Sequence, residues 1–271
     1  MCRLFFVVGK DVDEVKYVTV ELAKNSWLAG NDDGYFASVK LGKRVRTLRT
    51  MDYEQFEDFL IRNDYTKAFC HLRAASSGAV NIKNVHGWKM KGWRFAHNGW
   101  VLSFHKYVYY RYYGRQVVDF EVPVYGEGEL MCDSYKFFSH LVSQVDLSDV
   151  DKKTLEKILE ISREKSFRGT AFLVKRDFSK MIIISSEGFY LARYGSDVYV
   201  LSSKKDILTT RVRRKKKMKL WLFETTVTET VPVFAPEICK KLSAGVYYID
   251  LVGGKTMYVE WPEEAEGVVV E

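Results

Sequence analysis

Proline is scarce in this chain, four residues in 271, and no Gly/Ser-rich or low-complexity stretch interrupts it. Both absences argue against domains strung on linkers and for one unit spanning 1–271. The four cysteines form no C-x-x-C pair and no histidines stand at H-x-x-x-H spacing, which excludes the common zinc modules and a disulfide framework. Free thiols fit a reducing compartment, so a cytoplasmic location is expected. The longest apolar runs, Leu4 to Val8 and Met181 to Ile184, fall far below the roughly 18 residues of a membrane helix. No charged-then-apolar leader precedes Cys2, and no membrane partner is expected. What the chain does have is 47% apolar content, enough for a large core, and a mixed α and β pattern.

Cys2, directly after Met1, is the first chemical signal. Removal of Met1 would leave one residue carrying both a thiol and a free α-amino group. A thiol attacks as its thiolate, and an α-amino group with a pKa of roughly 7.7–8 can take its proton near neutrality. Nucleophile and base would then sit together, and no catalytic histidine is needed. His71 and His97 accordingly read as structural.

Partners for such a nucleophile follow in order. The segment Cys70-His71-Leu72-Arg73-Ala74-Ala75-Ser76-Ser77-Gly78 supplies a guanidinium. Asn98-Gly99, after His97, supplies an amide donor followed by a backbone N–H that no side chain shields, a pairing suited to a tetrahedral oxyanion. Asp133, in Cys132-Asp133-Ser134, supplies a carboxylate. For a substrate with an amino-acid head group, Arg73 can grip the α-carboxylate through paired hydrogen bonds while Asp133 accepts the α-ammonium.

These residues together resemble the class II glutamine amidotransferase domain, the N-terminal-cysteine branch of the Ntn hydrolases. The N-terminal Cys, the H-x-R-x-A-[ST]-x-G stretch, the N-x-H element at Asn84-Val85-His86, the H-N-G element and the downstream Asp occur in that family's order. The resemblance implies Cys2 as nucleophile, Asn98 and Gly99 as oxyanion hole, Arg73 and Asp133 as holders of the glutamyl head group, and Ser76 and His86 as pocket lining. Ser76 stands where the family usually has Thr and keeps the hydroxyl. Gly87 replaces the Pro that commonly follows the histidine, a change that bears on the rigidity of that loop. The expected fold class is α+β, sharpened by the resemblance to the four-layer αββα sandwich. The whole chain then reads as one glutamine amidotransferase type 2 domain, with its motif residues in 1–135 and a strand-rich C-terminal half.

Each residue has a plainer use as well. Arg73 could be a surface charge, Asp133 could cap the following helix, and Asn-Gly is the commonest two-residue hairpin signal. Periodicity and caps predict strands at 3–8, 34–41, 44–50, 67–72 and 93–97. They predict helices at 11–25, opened by Asp11 and Glu14, and at 53–62, 134–144 and 149–165. Residues 73–87 read as a loop. Later strands are expected at 170–175, 181–185, 188–192, 198–202, 220–227, 245–252 and 255–260.

The net charge of +7 and two basic stretches raise a different class of function. Residues 106–115 interleave tyrosine with Lys and Arg, and 211–219 hold seven Lys or Arg; together they suggest a non-enzymatic module for nucleic acid or an acidic partner. Tyrosines packing on one face and a solvated basic loop, partly neutralised by Glu260, Glu263, Glu264, Glu266 and Glu271, are the simpler account, which makes nucleic acid the lesser expectation. The expected function is hydrolysis of the γ-glutamyl amide of glutamine or a related γ-glutamyl compound through a Cys2 thioester, with no metal and no organic cofactor. The Met-Cys-Arg-Leu start resembles the stand-alone γ-glutamyl amidohydrolases. A glutaminase subunit delivering ammonia to a separate synthetase-type subunit is the alternative.

Overall fold

The computed structural model describes residues 2–76, 78–104, 131–220 and 223–262, without the side chains of 211–233. Met1, Ser77, the tyrosine-rich stretch 106–115 and the acidic Glu263, Glu264, Glu266 and Glu271 lie outside them. Among the described residues no helix is long and apolar enough to cross a membrane.

The chain is α+β. Its first part runs β1 (Arg3–Val8), α1 (Val12–Leu28), β2 (Tyr35–Leu41), β3 (Arg44–Thr50), α2 (Tyr53–Arg62) and β4 (Lys67–Leu72). After a loop with a short 3-10 turn (Ile82–Asn84) come β5 (Trp88–Met90), β6 (Trp93–Val101), α3 (Asp133–Gln144) and α4 (Lys152–Glu164). Strands follow: β7 (Phe167–Lys175), β8 (Lys180–Ser185), β9 (Phe189–Tyr194), β10 (Val198–Ser202), β11 (Thr210–Leu220), β12 (Phe223–Phe234), β13 (Ile238–Leu242), β14 (Gly245–Asp250) and β15 (Thr256–Glu260).

Two antiparallel sheets carry the architecture, one in the order β13-β9-β10-β1-β4-β2-β3 and the other β15-β14-β8-β7-β6-β5. Three apolar cores follow from them. Phe5 and Val7 of β1 pack with Val15, Val18 and Leu22 of α1 and Phe56 and Leu60 of α2. Leu4 and Phe6, on the opposite face of the same strand, pack with Ala96, Phe172, Val174 and Ile183 of the second sheet. Phe95, Leu173 and Ile184 then meet Phe137, Phe138 and Leu141 of α3 and Leu155 and Ile158 of α4. A strand buried on both faces has no reason to alternate, which is why β1 reads as an unbroken apolar run.

Local chemistry sets the helix ends. The Asp11 side chain accepts from Glu14 N at 2.8 Å and opens α1, which continues three residues past the expected end to Leu28 before Gly30 takes a φ of 81°. Asp151 closes a capping box with Thr154, so α4 begins at Lys152 and not at 149. The expected strand at 93–97 runs on to Val101.

The basic run 211–219 is not a loop. It forms most of β11, which pairs antiparallel with β12 from Thr210 opposite Phe234 to Leu220 opposite Phe223. The expected strand at 220–227 is thereby divided between the end of one strand and the start of the next. Charge content had suggested solvated loop, but the partner strand, rich in Thr and Val, supplies the residues that favour an extended ladder. Strands β5 and β13 were also unanticipated; the first is three residues long and the second is an exposed edge strand.

Candidate functional site

Cys2 sits immediately before β1, whose register pairs Arg3 with Leu72 at the end of β4. That register sets Cys2 beside the Arg73-Ala74 step: Ala74 N donates to the Cys2 sulfur at 3.4 Å, and the sulfur lies 3.4 Å from Ala74 O. The thiol is buried, and burial pushes its pKa up, opposed by the Ala74 N–H and the Arg73 charge, while Asp133 pushes it up further. Such a thiol needs a base before it can attack. Arg3 steadies the strand start, with Nη1 donating to Cys2 O at 3.1 Å and Nη2 paired with Asp206 at 2.5 Å.

Arg73 is only 2% exposed, so the surface-charge alternative fails. Its Nη1 donates to Ala79 O at 3.2 Å, which the Asn84 Nδ2 also reaches at 3.0 Å. Asn84 Oδ1 in turn accepts from Cys132 N at 2.9 Å. The buried Asn84 therefore ties the loop after Arg73 to the start of α3. The same loop is pinned from the other side, where Ala75 N donates to Asp33 Oδ2 at 2.7 Å.

Asp133 is the first residue of α3, and the cap position belongs to Cys132. Its carboxylate reaches further than its own helix: Oδ2 accepts from Val101 N, the last residue of β6, at 2.7 Å, and Oδ1 accepts from Ser134 N at 2.8 Å. Asn98 lies three residues earlier on β6. Its Nδ2 is 2.9 Å from Ser203 Oγ, and Ser203 Oγ also accepts from Leu4 N at 3.2 Å, which joins the amide to β1.

Asn98-Gly99 makes no hairpin turn. Asn98 pairs with Thr170 and Gly99 with Gly169 inside the β6–β7 ladder. Gly99 has φ 150°, and a Cβ there would stand 2.0 Å from Arg168 O. Gly169, at φ 101°, is as tightly approached by Asn98 O. Only glycine fits this crossing, so the chain-bending signal of Asn-Gly is spent on a close strand approach.

Three histidines fill the space behind these groups. His71 and His86 stack with ring centroids 3.9 Å apart, and His86 Nδ1 accepts from His97 N at 3.1 Å. His71 Nε2 donates to His97 O at 3.1 Å, while His97 Nε2 donates to Arg168 O at 2.9 Å and its Nδ1 lies 2.9 Å from Ser134 Oγ. Burial lowers all three pKa values, that of His71 to about 3, so the rings are neutral near pH 7. Ser76 stays exposed on the loop.

The structure thus links Cys2 to Ala74, Arg73 through Ala79 and Asn84 to the start of α3, Asp133 to the end of β6, Asn98 to Ser203 and His86 to His97, with Gly99 beside Asn98 on β6. Ser203 and the Arg3–Asp206 pair escaped the sequence reading, because nothing near Ser203 resembles a motif. Asn84 carried a motif signal without an assigned role. Among the described residues no group of three or more His, Cys, Asp or Glu could hold a metal ion. Whether the two basic stretches share a surface lies outside the described residues.

No protein-family model and no curated protein matches the chain. Among solved structures it is similar to a glutamine aminotransferase class-II domain protein from Silicibacter pomeroyi, at 12% identity and a TM-score of 0.49 over 96% of this chain and 100% of that one. A predicted glutamine amidotransferase from Pseudomonas aeruginosa gives 15% identity and a TM-score of 0.44 over 94% of each chain. Likenesses this distant assign no residue a role.

Proposed function

We propose that this chain is an N-terminal-nucleophile amidohydrolase of the class II glutamine amidotransferase kind. It cuts the γ-glutamyl amide of glutamine or a related γ-glutamyl compound through a thioester on Cys2. The observation that carries the reading is the hydrogen-bonded path from the Cys2 strand through Ser203 to Asn98, and from Arg73 through Ala79 and Asn84 to the start of α3. The three stacked cores support the further reading of one four-layer αββα domain of the Ntn type.

In this mechanism Met1 is removed and the freed α-amino group of Cys2 takes the thiol proton. The thiolate forms a bond to the γ-carbonyl carbon, and the oxyanion that results meets the Asn98 amide and the Gly99 N–H. The C–N bond then breaks, and the departing amine carries away the proton held by the α-amino group. Water, deprotonated by the Cys2 α-amino group, then attacks the thioester carbon; the C–S bond breaks, the thiolate takes back that proton, and glutamate is released. Arg73 holds the substrate α-carboxylate. Asp133, oriented by Val101 N on one oxygen and by Ser134 N and Oγ on the other, accepts the α-ammonium. Ser76 and His86 line the pocket.

The test combines an intact-mass measurement, to show protein beginning at Cys2, with hydrolysis of glutamine and γ-glutamyl dipeptides. Release of glutamate by that protein, and its absence from Cys2→Ala, is the expected result. Faster cleavage of dipeptides than of glutamine identifies a stand-alone hydrolase; cleavage of glutamine alone, and only beside a co-purifying synthetase-type protein, identifies a glutaminase subunit. No hydrolysis of any γ-glutamyl substrate by correctly processed protein, cell extract included, overturns the reading.

A further inference from the structure

We propose that Ser203 is a positioning residue that sets which way the Asn98 carboxamide faces, through a relay from Leu4 N–H to Ser203 Oγ and from Ser203 O–H to Asn98 Oδ1. The inference rests on the reading of Asn98 as an oxyanion donor. Ser203 directly follows β10 and is 5% exposed. Its backbone N donates to Leu4 O at 2.9 Å while its side-chain oxygen accepts from Leu4 N at 3.2 Å, so one serine clasps the residue two places after Cys2 by both ends.

The hydrogen inventory around it is unbalanced. With Asn98 Nδ2 donating at 2.9 Å, Ser203 Oγ receives two hydrogens and its own proton has no acceptor among the described residues. Asn98 Oδ1, meanwhile, is buried without a partner among the described residues. A half-turn of the carboxamide about its last side-chain bond exchanges oxygen and nitrogen without changing the shape of the group. After it, the Ser203 hydroxyl donates to Asn98 Oδ1 over the same 2.9 Å and still accepts from Leu4 N. The hydroxyl proton and the carboxamide oxygen are then paired with each other, and the unpaired buried position passes to the NH₂. The Asn98 NH₂ then occupies the place of the lone oxygen, and both its hydrogens remain for a substrate oxygen. Each bond of the relay polarises the next, and the amide becomes a stronger donor than an isolated Asn. Because the relay begins on β1, the nucleophile and the oxyanion donor take their positions from the same side chain.

A double-mutant cycle tests this, using Ser203→Ala, Asn98→Ala and the pair, with folding checked by circular dichroism and thermal midpoint. Ser203→Ala should lower kcat about tenfold, a part of what losing an oxyanion donor costs, with KM within about twofold. In the Asn98→Ala background the same change should have no further effect, since Ser203 acts only through that amide. Ser203→Thr, which keeps the hydroxyl, should restore kcat to within about threefold of the parent. If Ser203→Ala does not fold, the near-isosteric Ser203→Cys, a weak donor, serves in the same cycle. Losses that multiply in the double variant, or a Ser203→Ala enzyme with unchanged kcat, overturn the relay while leaving Asn98 as oxyanion donor. Unchanged turnover in Asn98→Ala overturns that reading of Asn98 and the relay with it.

Discussion

On the seven-stranded side of the site, Cys2 and Arg73 stand where strands begin and end, and their side chains meet the loop that follows β4, Cys2 at Ala74 and Arg73 at Ala79. On the six-stranded side, Asn98 and Gly99 lie within a strand whose ladder continues to Val101, and Asp133 is tied to that strand's last amide. Strand ends can be adjusted by the loops that follow them, whereas a residue inside a ladder takes its place from the whole sheet. In the proposed roles, the first side carries the nucleophile and the holder of the α-carboxylate, and the second carries groups whose directions are fixed beforehand, the oxyanion donors and the acceptor of the α-ammonium.

The largest test of this contrast is Cys2→Ala, which should lower γ-glutamyl hydrolysis by about 10⁴-fold or more while leaving the thermal midpoint unchanged. A diazo-ketone glutamine analogue should label Cys2 and spare Cys239, although Cys239 is exposed and Cys2 is buried. It should also spare Cys70 and Cys132, whose thiol pKa values burial pushes up, that of Cys132 to about 12. Peptide mapping that places the adduct elsewhere reassigns the nucleophile.

On the other side, Asn98→Ala should lower kcat by about 10²–10³-fold with little change in KM, measured by steady-state kinetics. Gly99→Ala probes the ladder itself. A methyl group 2.0 Å from Arg168 O has to move backbone, so a stability loss of about 3 kcal/mol is expected in urea unfolding. An Ala variant of ordinary stability would show that the strand yields more easily than this contrast allows. Arg73→Lys keeps the charge and loses the planar fork, and should raise KM about tenfold with kcat nearly preserved. A reversal of the Asn98 and Arg73 patterns would mean that binding and chemistry are divided the other way.

The histidines span both sides, from β4 to β6, and give a pH test. Their folded pKa values lie below the ordinary value, with His71 at about 3. Between roughly pH 6.5 and 3 the unfolded chain therefore binds more protons than the folded one, and stability present above the unfolded pKa is lost as pH falls. The slope should approach about 1.4 kcal/mol per pH unit for each histidine. Urea unfolding at pH 7.5, 6 and 5 should show little change from the histidines in the first part of that range and a steepening loss below it. A flat profile would mean that the rings are charged in the folded state.

Much of the fold was legible because local signals and tertiary demands agreed. For β1, β3, β4, β10 and α2 the expected bounds coincide with those found, and Asp52 caps α2 where a capping residue belongs. The reading failed where one signal served two purposes. Asn98-Gly99 spells a turn and forms a strand crossing, because its glycine is needed for close approach to Gly169. The run 211–219 spells a solvated loop and forms a strand, because its partner lies further along the chain. Within the candidate site, Cys2, Arg73, Asn98 and Asp133 announced themselves by residue type and order. Ser203 could not, since it meets Asn98 across a separation of 105 residues and Leu4 across 199.

The β11–β12 ribbon carries a practical consequence. Thr210 and Phe234 face each other at its base, where the Thr210 hydroxyl bonds Asn25 and the Phe234 ring stacks on Tyr194. Among the described residues neither strand is hydrogen-bonded into either large sheet. The two ends of the excursion are therefore separated by about one interstrand spacing, roughly 5 Å. A tight turn can bridge that gap, so the protein offers a natural splice point, at which the excursion can be trimmed away or replaced by a reporter while the two sheets keep their frame.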